Sequence, residues 1–139
     1  MIMVIDAQGG GIGKQLVAAV KKEIPDASVL AVGTNSAATA AMLRAGADEA
    51  ATGENAIVVG AARADVIVGP IGIVIADSLL GEITPRMALA VSRSRAKRVL
   101  IPFNHCDNVI AGTGEMRTGD LIQSAVGEIA KAAADEGQS

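Results

Sequence analysis

The chain has 139 residues, half of them hydrophobic, with a net charge of −3 and Phe103 as its single aromatic residue. This length predicts one domain with an aliphatic core, which we expect to span residues 1–135, followed by a flexible tail at 136–139. The acidic balance and the lack of aromatic rings argue against nucleic acid as a partner. The longest apolar run, residues 66–76, is shorter than the roughly 20 residues that cross a bilayer, so we expect no membrane partner.

The single cysteine cannot form an internal disulfide, which favours a cytoplasmic location. No basic segment precedes the first apolar run, so we predict no signal peptide. The apolar fraction is high for a small acidic chain, and this indicates that some apolar surface is buried against another copy. We therefore expect a homo-oligomer.

Strand-like and helix-like segments alternate along the N-terminal half. Ile2–Asp6 is an apolar run typical of a buried parallel strand. A helix at residues 12–24 carries apolar residues at helical spacing and ends at Pro25. The pattern then predicts a strand at 29–32, an alanine-rich helix at 37–45 capped by Asn35 or Ser36, a short edge strand at 49–51 and a helix to about Arg63.

The C-terminal half continues the alternation. A strand is predicted at residues 65–69, and we interpret 71–80 as a helix because of its place in the alternation. Thr84 and Pro85 mark the start of another helix, which we expect to reach about Ala96. The pattern further predicts a strand at 99–102, a last short strand at 108–111 and a final helix from a Thr118 cap.

This alternation is typical of an α/β fold with a doubly wound, mostly parallel sheet and helices on both faces. In such folds the ligand crevice lies at the carboxyl edge of the strands. Glycine and polar clusters follow the predicted strands at residues 8–14, 33–36, 52–55, 69–72 and 102–106. We therefore expect these clusters to surround one site.

The chain resembles a small bacterial family known only as a domain of unknown function and taken to be Rossmann-like. The motifs that carry this resemblance are GGGIGK, GTN, ATGENAIVV, GPIGI, GEITP and IPFN, and together they extend over nearly the whole chain. The resemblance implies a Rossmann-like fold and a nucleotide-type pocket. It implies no activity.

The glycine-rich stretch between the first strand and the first helix is a natural phosphate site, because backbone N–H groups and the helix dipole converge there. One interpretation is a dinucleotide site, since Gly11-Ile12-Gly13 resembles the end of the short-chain dehydrogenase pattern G-x-x-x-G-I-G. Ala7 stands at the first glycine of that pattern, and Lys14 prevents a match to G-x-G-x-x-G. The second strand also ends without the acidic residue that binds the ribose of NAD.

Two other interpretations of the stretch remain open. Residues 10–14 resemble the core of a P-loop, but Gln8 and Gln15 replace its first glycine and its hydroxyl residue, so triphosphate hydrolysis is hard to support. Alternatively, the glycines only let the first helix pack close to the sheet. We favour the dinucleotide interpretation over both.

The run His105-Cys106-Asp107 is another candidate for chemistry. Adjacent side chains rarely point the same way, and contiguous ligands do not match zinc spacing. We interpret the run as a polar loop near the ligand edge and predict no metal site.

Two carboxylates are interpreted structurally. Asp6 is expected to accept N–H groups of the first turn. Asp77 lies in an apolar segment and is expected to need a partner, for which Arg86 is a candidate unless it pairs with Glu82.

These observations predict a protein that binds NAD or NADP in a binding or sensing role, because the chain has no tyrosine and one histidine for hydride-transfer chemistry. The alternatives are a small enzyme acting on a phosphorylated or nucleotide substrate, and a self-associating structural protein with a vestigial site. The residues predicted to bind the cofactor are Asp6, Gln8, Gly9, Gly10, Gly11, Ile12, Gly13, Lys14, Gly33, Thr34, Asn35, Ser36, Gly69, Pro70, Ile71 and Gly72. Those predicted for a possible substrate side are Glu54, Asn55, Asn104 and Cys106.

Overall fold

A computed structural model of the protein describes residues 1–103 and 108–136. Its strands are β1 (Ile2–Asp6), β2 (Val29–Gly33), β3 (Glu49–Thr52), β4 (Val66–Pro70) and β5 (Lys97–Ile101). Its α-helices are α1 (Gly11–Glu23), α2 (Ser36–Arg44), α3 (Glu54–Arg63), α4 (Pro85–Arg93) and α5 (Thr118–Glu136), and a short 3-10 helix covers Ile71–Val74. The predicted alternation is confirmed for these elements, including the edge strand near residue 50, whereas the helix predicted at 71–80 and the strand predicted at 108–111 are not formed.

All strand pairs are parallel, and the strands form one sheet in the order β3-β2-β1-β4-β5. This is the strand order of a Rossmann fold up to its fifth strand, which confirms the predicted doubly wound α/β class. The pairing of β1 with β4 ends at Val4 and Val68, whereas its pairing with β2 continues to Asp6 and Gly33. The order reverses between β1 and β4, so a crevice is expected at their carboxyl ends.

Helices cover both faces of the sheet and bury β1 completely. On one face, Val4 belongs to a core built with α1, α2 and α5, to which Leu16 and Ile129 contribute. On the other face, Met3 and Ile5 belong to a core built with α3 and α4. Alternate residues of β1 thus face opposite cores, which explains why its sequence is a continuous apolar run.

Residues 71–80 do not form the predicted helix. After the 3-10 turn the chain bends repeatedly, with positive φ at Asp77, Leu79 and Leu80. The Gly72 carbonyl oxygen accepts the Ile75 N–H at 3.0 Å, three positions away as in a 3-10 turn, and also accepts the Ser78 hydroxyl. The prediction failed because an apolar run does not reveal positive-φ turns, which interrupt this segment at Asp77, Leu79 and Leu80.

The predicted environment of Asp77 is also wrong. Its side chain is exposed to solvent and does not depend on a buried partner. Arg86 instead approaches Glu54, with 3.5 Å between Nη1 and Oε2.

Two further boundaries differ from expectation. α4 ends at Arg93, short of Ala96, because the Ser94 hydroxyl donates to the Ala61 carbonyl oxygen and accepts the Ala96 N–H. Residues 108–111 lie in a loop and turn, with no strand, and glycines at 112 and 114 take positive φ as the chain approaches α5. In the part of the chain that the structure describes, no helix combines the length and apolar character needed to span a membrane.

Candidate functional site

The first turn (residues 7–10) joins β1 to α1 at the carboxyl edge of the sheet. Gln8 and Gly10 have φ values of 54° and 73°, and the Gly10 N–H donates to the Ala7 carbonyl oxygen at 3.0 Å. α1 begins at Gly11, and its N-cap residue, Gly10, offers no side chain to accept a hydrogen bond. The first N–H groups of α1 therefore depend on other acceptors.

Asp6 is the acceptor that fixes the shape of the turn. Its side chain is buried, Oδ1 accepts the Ala7 N–H at 2.8 Å, and Oδ2 accepts the Gly13 N–H at 2.6 Å. Burial raises the pKa of the Asp6 carboxyl, the two hydrogen bonds oppose that rise, and the charge of Glu82 adds to it. The interpretation of Asp6 as an acceptor for the turn is confirmed.

Gly10 and Gly13 are required by packing. A Cβ atom at Gly13 would lie 2.6 Å from Met42 Sδ and 2.8 Å from Asp6 Cβ. A Cβ atom at Gly10 would lie 2.9 Å from Ala38 Cα, and the positive φ there also disfavours a side chain. These two glycines let α1 lie close to β1 and α2.

Gly9 and Gly11 differ from their neighbours. A Cβ atom at either position would meet nothing within 4 Å. The structure of the chain gives no internal reason for a missing side chain at these positions. Their open space lies where the N-terminus of α1 begins, which is where backbone would have to approach a ligand closely.

A cavity of about 260 Å³ lies at the crevice between the ends of β1 and β4. Apolar side chains form most of its wall, and backbone and side-chain polar groups enter from the first turn and from two helices. The lining residues are Asp6, Ala7, Gln8, Gly11, Ile12, Gln15, Pro70, Leu79, Phe103 and Thr118. This volume is below the roughly 300–1,000 Å³ typical of pockets for whole small ligands, so a larger ligand would extend beyond it.

Two helix N-termini meet at this cavity. Gly11 and Ile12 line it from the start of α1, and Thr118 lines it from the start of α5. Each helix N-terminus carries a partial positive charge of about half a unit, which favours an anion. Lys14 is exposed and is not among the lining residues, so the two helices supply positive potential at the cavity without it.

Glu82 lies beside the turn, on a loop between the 3-10 helix and α4 (residues 75–84). Its Oε1 accepts the Thr34 hydroxyl at 2.7 Å and the Asn35 side-chain amide at 2.6 Å. The Gln8 N–H donates to the same carboxylate, at 3.1 Å to Oε1 and 3.2 Å to Oε2. An acidic group is thus present at the end of β2, although β2 itself does not supply it.

The Glu82 carboxyl is held in its charged form. Partial burial opposes ionisation, but the hydrogen bonds from Thr34, Asn35 and the Gln8 N–H outweigh that effect and lower the pKa of Glu82. The site therefore holds a fixed negative charge near the first turn.

The loop at residues 75–84 that presents Glu82 has an unusual backbone. Three of its residues other than glycine have positive φ, namely Asp77, Leu79 and Leu80, at 65°, 54° and 58°. Leu79 is buried and lines the cavity, whereas Leu80 is 88% exposed. Such backbone costs of order 1–3 kcal/mol per residue and is found most often at functional sites.

Thr34 and Asn35 lie beside the first turn as predicted for the end of β2. The Asn35 amide donates to the Gln8 carbonyl oxygen at 2.9 Å, and its oxygen caps α2 by accepting the Ala38 N–H. Ser36 is the first residue of α2 and is exposed to solvent.

The remaining glycines of the prediction serve packing. A Cβ atom at Gly33 would lie 2.5 Å from Thr39 Oγ1, and one at Gly69 would lie 2.5 Å from the Ile5 carbonyl oxygen. A Cβ atom at Gly72 would likewise lie 2.9 Å from Ser78 Oγ. Of the cluster Gly69, Pro70, Ile71 and Gly72, Pro70 is the member that lines the cavity.

Two of the predicted substrate-side residues, Glu54 and Asn55, do not line the cavity. Glu54 opens α3 and belongs to a separate cluster, in which the Thr84 hydroxyl donates to its Oε1 at 2.6 Å. Asn55 is exposed on the same helix. Asn104 and Cys106, together with His105 and Asp107, lie outside the described residues.

Sequence patterns missed several residues at the site. Glu82 was considered only as a possible partner of Arg86, and Gln15 only as a departure from the P-loop pattern, yet Gln15 lines the cavity and its amide donates to the Gly11 carbonyl oxygen at 3.1 Å. Leu79, Phe103 and Thr118 also line the cavity. Thr118 was recognised as a helix start, and that signal could have placed it at the carboxyl edge.

Residues 1–134 match the model of a family described as "Domain of unknown function (DUF3842)", so the chain belongs to that family. No curated protein matches it significantly. A solved structure, the dodecameric FMN-dependent Ubix-like decarboxylase from Escherichia coli O157:H7, is 16% identical. That similarity covers 99% of this chain and 94% of the other, with a TM-score of 0.43. A likeness this slight transfers no function, so function is inferred below from the geometry of this chain.

Proposed function

We propose that this protein binds a nucleotide-type cofactor, with its phosphate groups at the first turn and the start of α1. The observation that carries the proposal is the contrast among the glycines: Gly10 and Gly13 are needed for packing, while Gly9 and Gly11 leave open space. In dinucleotide-binding folds the glycines of this turn divide the same roles, for the tight turn, for the approach of phosphate and for helix packing. Gly11 also lines the cavity at the switch point.

An NAD(P)-type ligand fits the division of the site into two parts. The cavity at the ends of β1 and β4 has room for part of a nucleotide, about 260 Å³. Gln8 links this cavity to a polar group at the end of β2, where Thr34 and Asn35 lie. A dinucleotide spans such a crevice with its pyrophosphate on the helix N-terminus between the two parts.

A binding or sensing role is the proposal that the residue inventory favours. The chain contains no tyrosine and one histidine, His105. The carboxylates at the turn are engaged structurally, since Asp6 accepts two backbone N–H groups and Glu82 accepts three donors. Neither carboxylate is arranged as a free general base in this geometry.

Ligand-induced stabilisation tests this proposal. The unfolding temperature is measured with NAD(H), NADP(H), ATP, coenzyme A, S-adenosylmethionine and FMN, each in turn. A ligand present at 100 times its dissociation constant adds about 2.7 kcal/mol to the stability. We expect at least one nucleotide to raise the unfolding temperature, and no shift with any of them would overturn the proposal.

A matched pair of glycine variants then locates the ligand. Gly11→Val places a side chain in the open space at the cavity. Gly127→Val also adds a side chain in open space, but on α5 and away from the residues that line the cavity. We expect both variants to fold, Gly11→Val to lose nucleotide binding and Gly127→Val to keep it. Equal affinity in the two variants would remove the first turn from the binding site.

A further inference from the structure

The carboxylate of Glu82 occupies a specific place relative to the proposed ligand. β1 and β2 are paired through Asp6 and Gly33, and the Thr34 N–H donates to the Asp6 carbonyl oxygen at 3.0 Å. Thr34 is therefore the first residue beyond β2 and lies next to the first turn. In dinucleotide-binding folds an acidic residue at this position of the fold, near the end of the second strand, binds the ribose hydroxyls.

We infer that Glu82, supplied by the loop at residues 75–84, is the ribose-binding acid of this site and makes it selective for a nucleotide whose ribose carries free hydroxyls. The inference rests on the proposed function. It specifies the ligand class further: an unphosphorylated ribose is accepted and a 2′-phosphate is rejected.

The hydrogen bonds that Glu82 accepts within the protein leave its carboxylate able to accept a ribose hydroxyl as well. A carboxylate has about four acceptor positions. Among the described residues, Oε1 accepts the Thr34 hydroxyl and the Asn35 amide, and the Gln8 N–H lies between the two oxygens, 3.1 Å from Oε1 and 3.2 Å from Oε2. Oε2 can therefore accept a ribose hydroxyl while Oε1 keeps the side chain in place.

The fixed position of the carboxylate gives the selectivity. The donors from Thr34, Asn35 and Gln8 come from two different connections, so Glu82 is held against both, and its own N–H donates to the Leu79 carbonyl oxygen at 3.2 Å. A 2′-phosphate offers acceptors and negative charge to a group that is itself an ionised acceptor. Juxtaposed like charges at a binding interface weaken binding.

Among the described residues, no cation forms an ion pair with Glu82. Arg86 approaches Glu54 at 3.5 Å and is largely exposed. Lys14 is exposed as well. The described residues thus place a carboxylate, in contact with the first turn, where an NADP site would need a cation.

Calorimetric titration with NAD⁺ and NADP⁺ tests the inference, because these two ligands differ only by the 2′-phosphate. We expect wild-type protein to bind NAD⁺ at least about tenfold more tightly than NADP⁺. Glu82→Gln removes the charge at nearly constant size, so NAD⁺ should bind more weakly and the preference should fall below about threefold. Glu23→Gln removes an equal charge at the exposed end of α1 and should keep the wild-type preference.

The outcomes separate this inference from the proposed function. Equal affinity of wild-type protein for NAD⁺ and NADP⁺, or a preference for NADP⁺, would overturn the selectivity while nucleotide binding stands. Tighter binding of both ligands to Glu82→Gln would show that Glu82 competes with the ligand, which also overturns it. Binding of FMN, ATP or coenzyme A but of neither dinucleotide refutes the inference alone, whereas binding of no nucleotide refutes the proposed function as well.

Discussion

Two connections meet at the candidate site: one is held by hydrogen bonds between residues close in the chain, and the other by hydrogen bonds to distant residues. The first turn is local: a buried carboxylate at the end of β1 binds the N–H groups of Ala7 and Gly13, at most seven positions away. The loop at residues 75–84 is bound to the site through Glu82, whose hydrogen bonds reach Gln8, Thr34 and Asn35, between 47 and 74 positions away.

The two connections also differ in which residue types occupy their left-handed backbone positions. In the first turn, glycine stands at one of the two left-handed positions, Gly10, where a Cβ atom would also clash with Ala38 of α2. The loop uses Asp77, Leu79 and Leu80 at left-handed positions, which such residues adopt at a cost. We conclude that the first turn, together with Asp6 and Gly13, is a stable unit, referred to as the frame, and that the loop is held in a less favourable conformation by its contacts.

The largest expected effect concerns the frame. Asp6→Ala removes the acceptor of two N–H groups at a buried position, so we expect the free energy of unfolding to fall by about 2–4 kcal/mol. Asp26→Ala, at an exposed position after α1, should change it by no more than about 0.5 kcal/mol. Urea denaturation measures both, and equal losses would show that Asp6 does not hold the turn.

The next largest expected effect is a loss of stability when Gly13, the packed glycine of the frame, is replaced. Gly13→Ala forces a methyl group against Met42 and Asp6, and overpacking of this kind costs about 1–3 kcal/mol. Gly127→Ala, at an open position in α5, should instead gain up to about 1 kcal/mol from helix propensity. A stable Gly13→Ala protein would contradict the division of the glycines into packed and open positions.

The charge on the loop predicts a dependence on pH. The pKa of Glu82 is below its ordinary value of 4.5, so its ionised form is favoured more strongly in the folded than in the unfolded protein. Its contribution to stability is therefore present above that value and is lost as the pH falls through the folded pKa. We expect Glu82→Gln to be less stable than wild type at pH 7 and the difference to shrink below pH 4.5.

That comparison is made by urea denaturation of both proteins at several pH values, with Glu23→Gln as the charge-matched control. A difference that stays constant down to acidic pH would mean that the carboxylate is not held in its charged form by Thr34, Asn35 and Gln8.

The smallest expected effect tests the strain of the loop. Leu80 is 88% exposed with a φ of 58°, and asparagine tolerates this conformation better than leucine. We expect Leu80→Asn to raise the unfolding free energy by about 0.5–1 kcal/mol. Leu43→Asn, on the exposed side of α2, should lower it through poorer helix propensity. A loss at both positions would contradict the interpretation that the backbone at Leu80 is strained.

The frame could be predicted from sequence because its determinants are close together in the chain. Alternating strands and helices gave the doubly wound fold, and the apolar run of β1 followed by glycines indicated the turn and its buried Asp6. Helix starts at Asn35 and Thr84 were likewise readable, since each residue caps a helix that begins at the next position.

The loop could not be predicted from the same kind of signal. Its apolar residues are compatible with a helix, and nothing local indicates that Leu79 and Leu80 adopt left-handed backbone. The role of Glu82 depends on the sheet order, which brings the ends of β1 and β2 together, and on the loop at residues 75–84 reaching both ends through the Glu82 hydrogen bonds. A glutamate that acts through partners at least 47 positions away leaves no spacing to recognise.

The most direct test of the proposed phosphate site is the response of individual backbone amides to a nucleotide. In a titration of isotope-labelled protein with NAD⁺, followed by amide NMR spectra, we expect the largest shifts at Gly9, Gly11 and Ile12. Gly127, on the exposed part of α5, should be unchanged. Saturable binding with the largest shifts elsewhere, and none at the first turn, would contradict the assignment of the turn as the phosphate site.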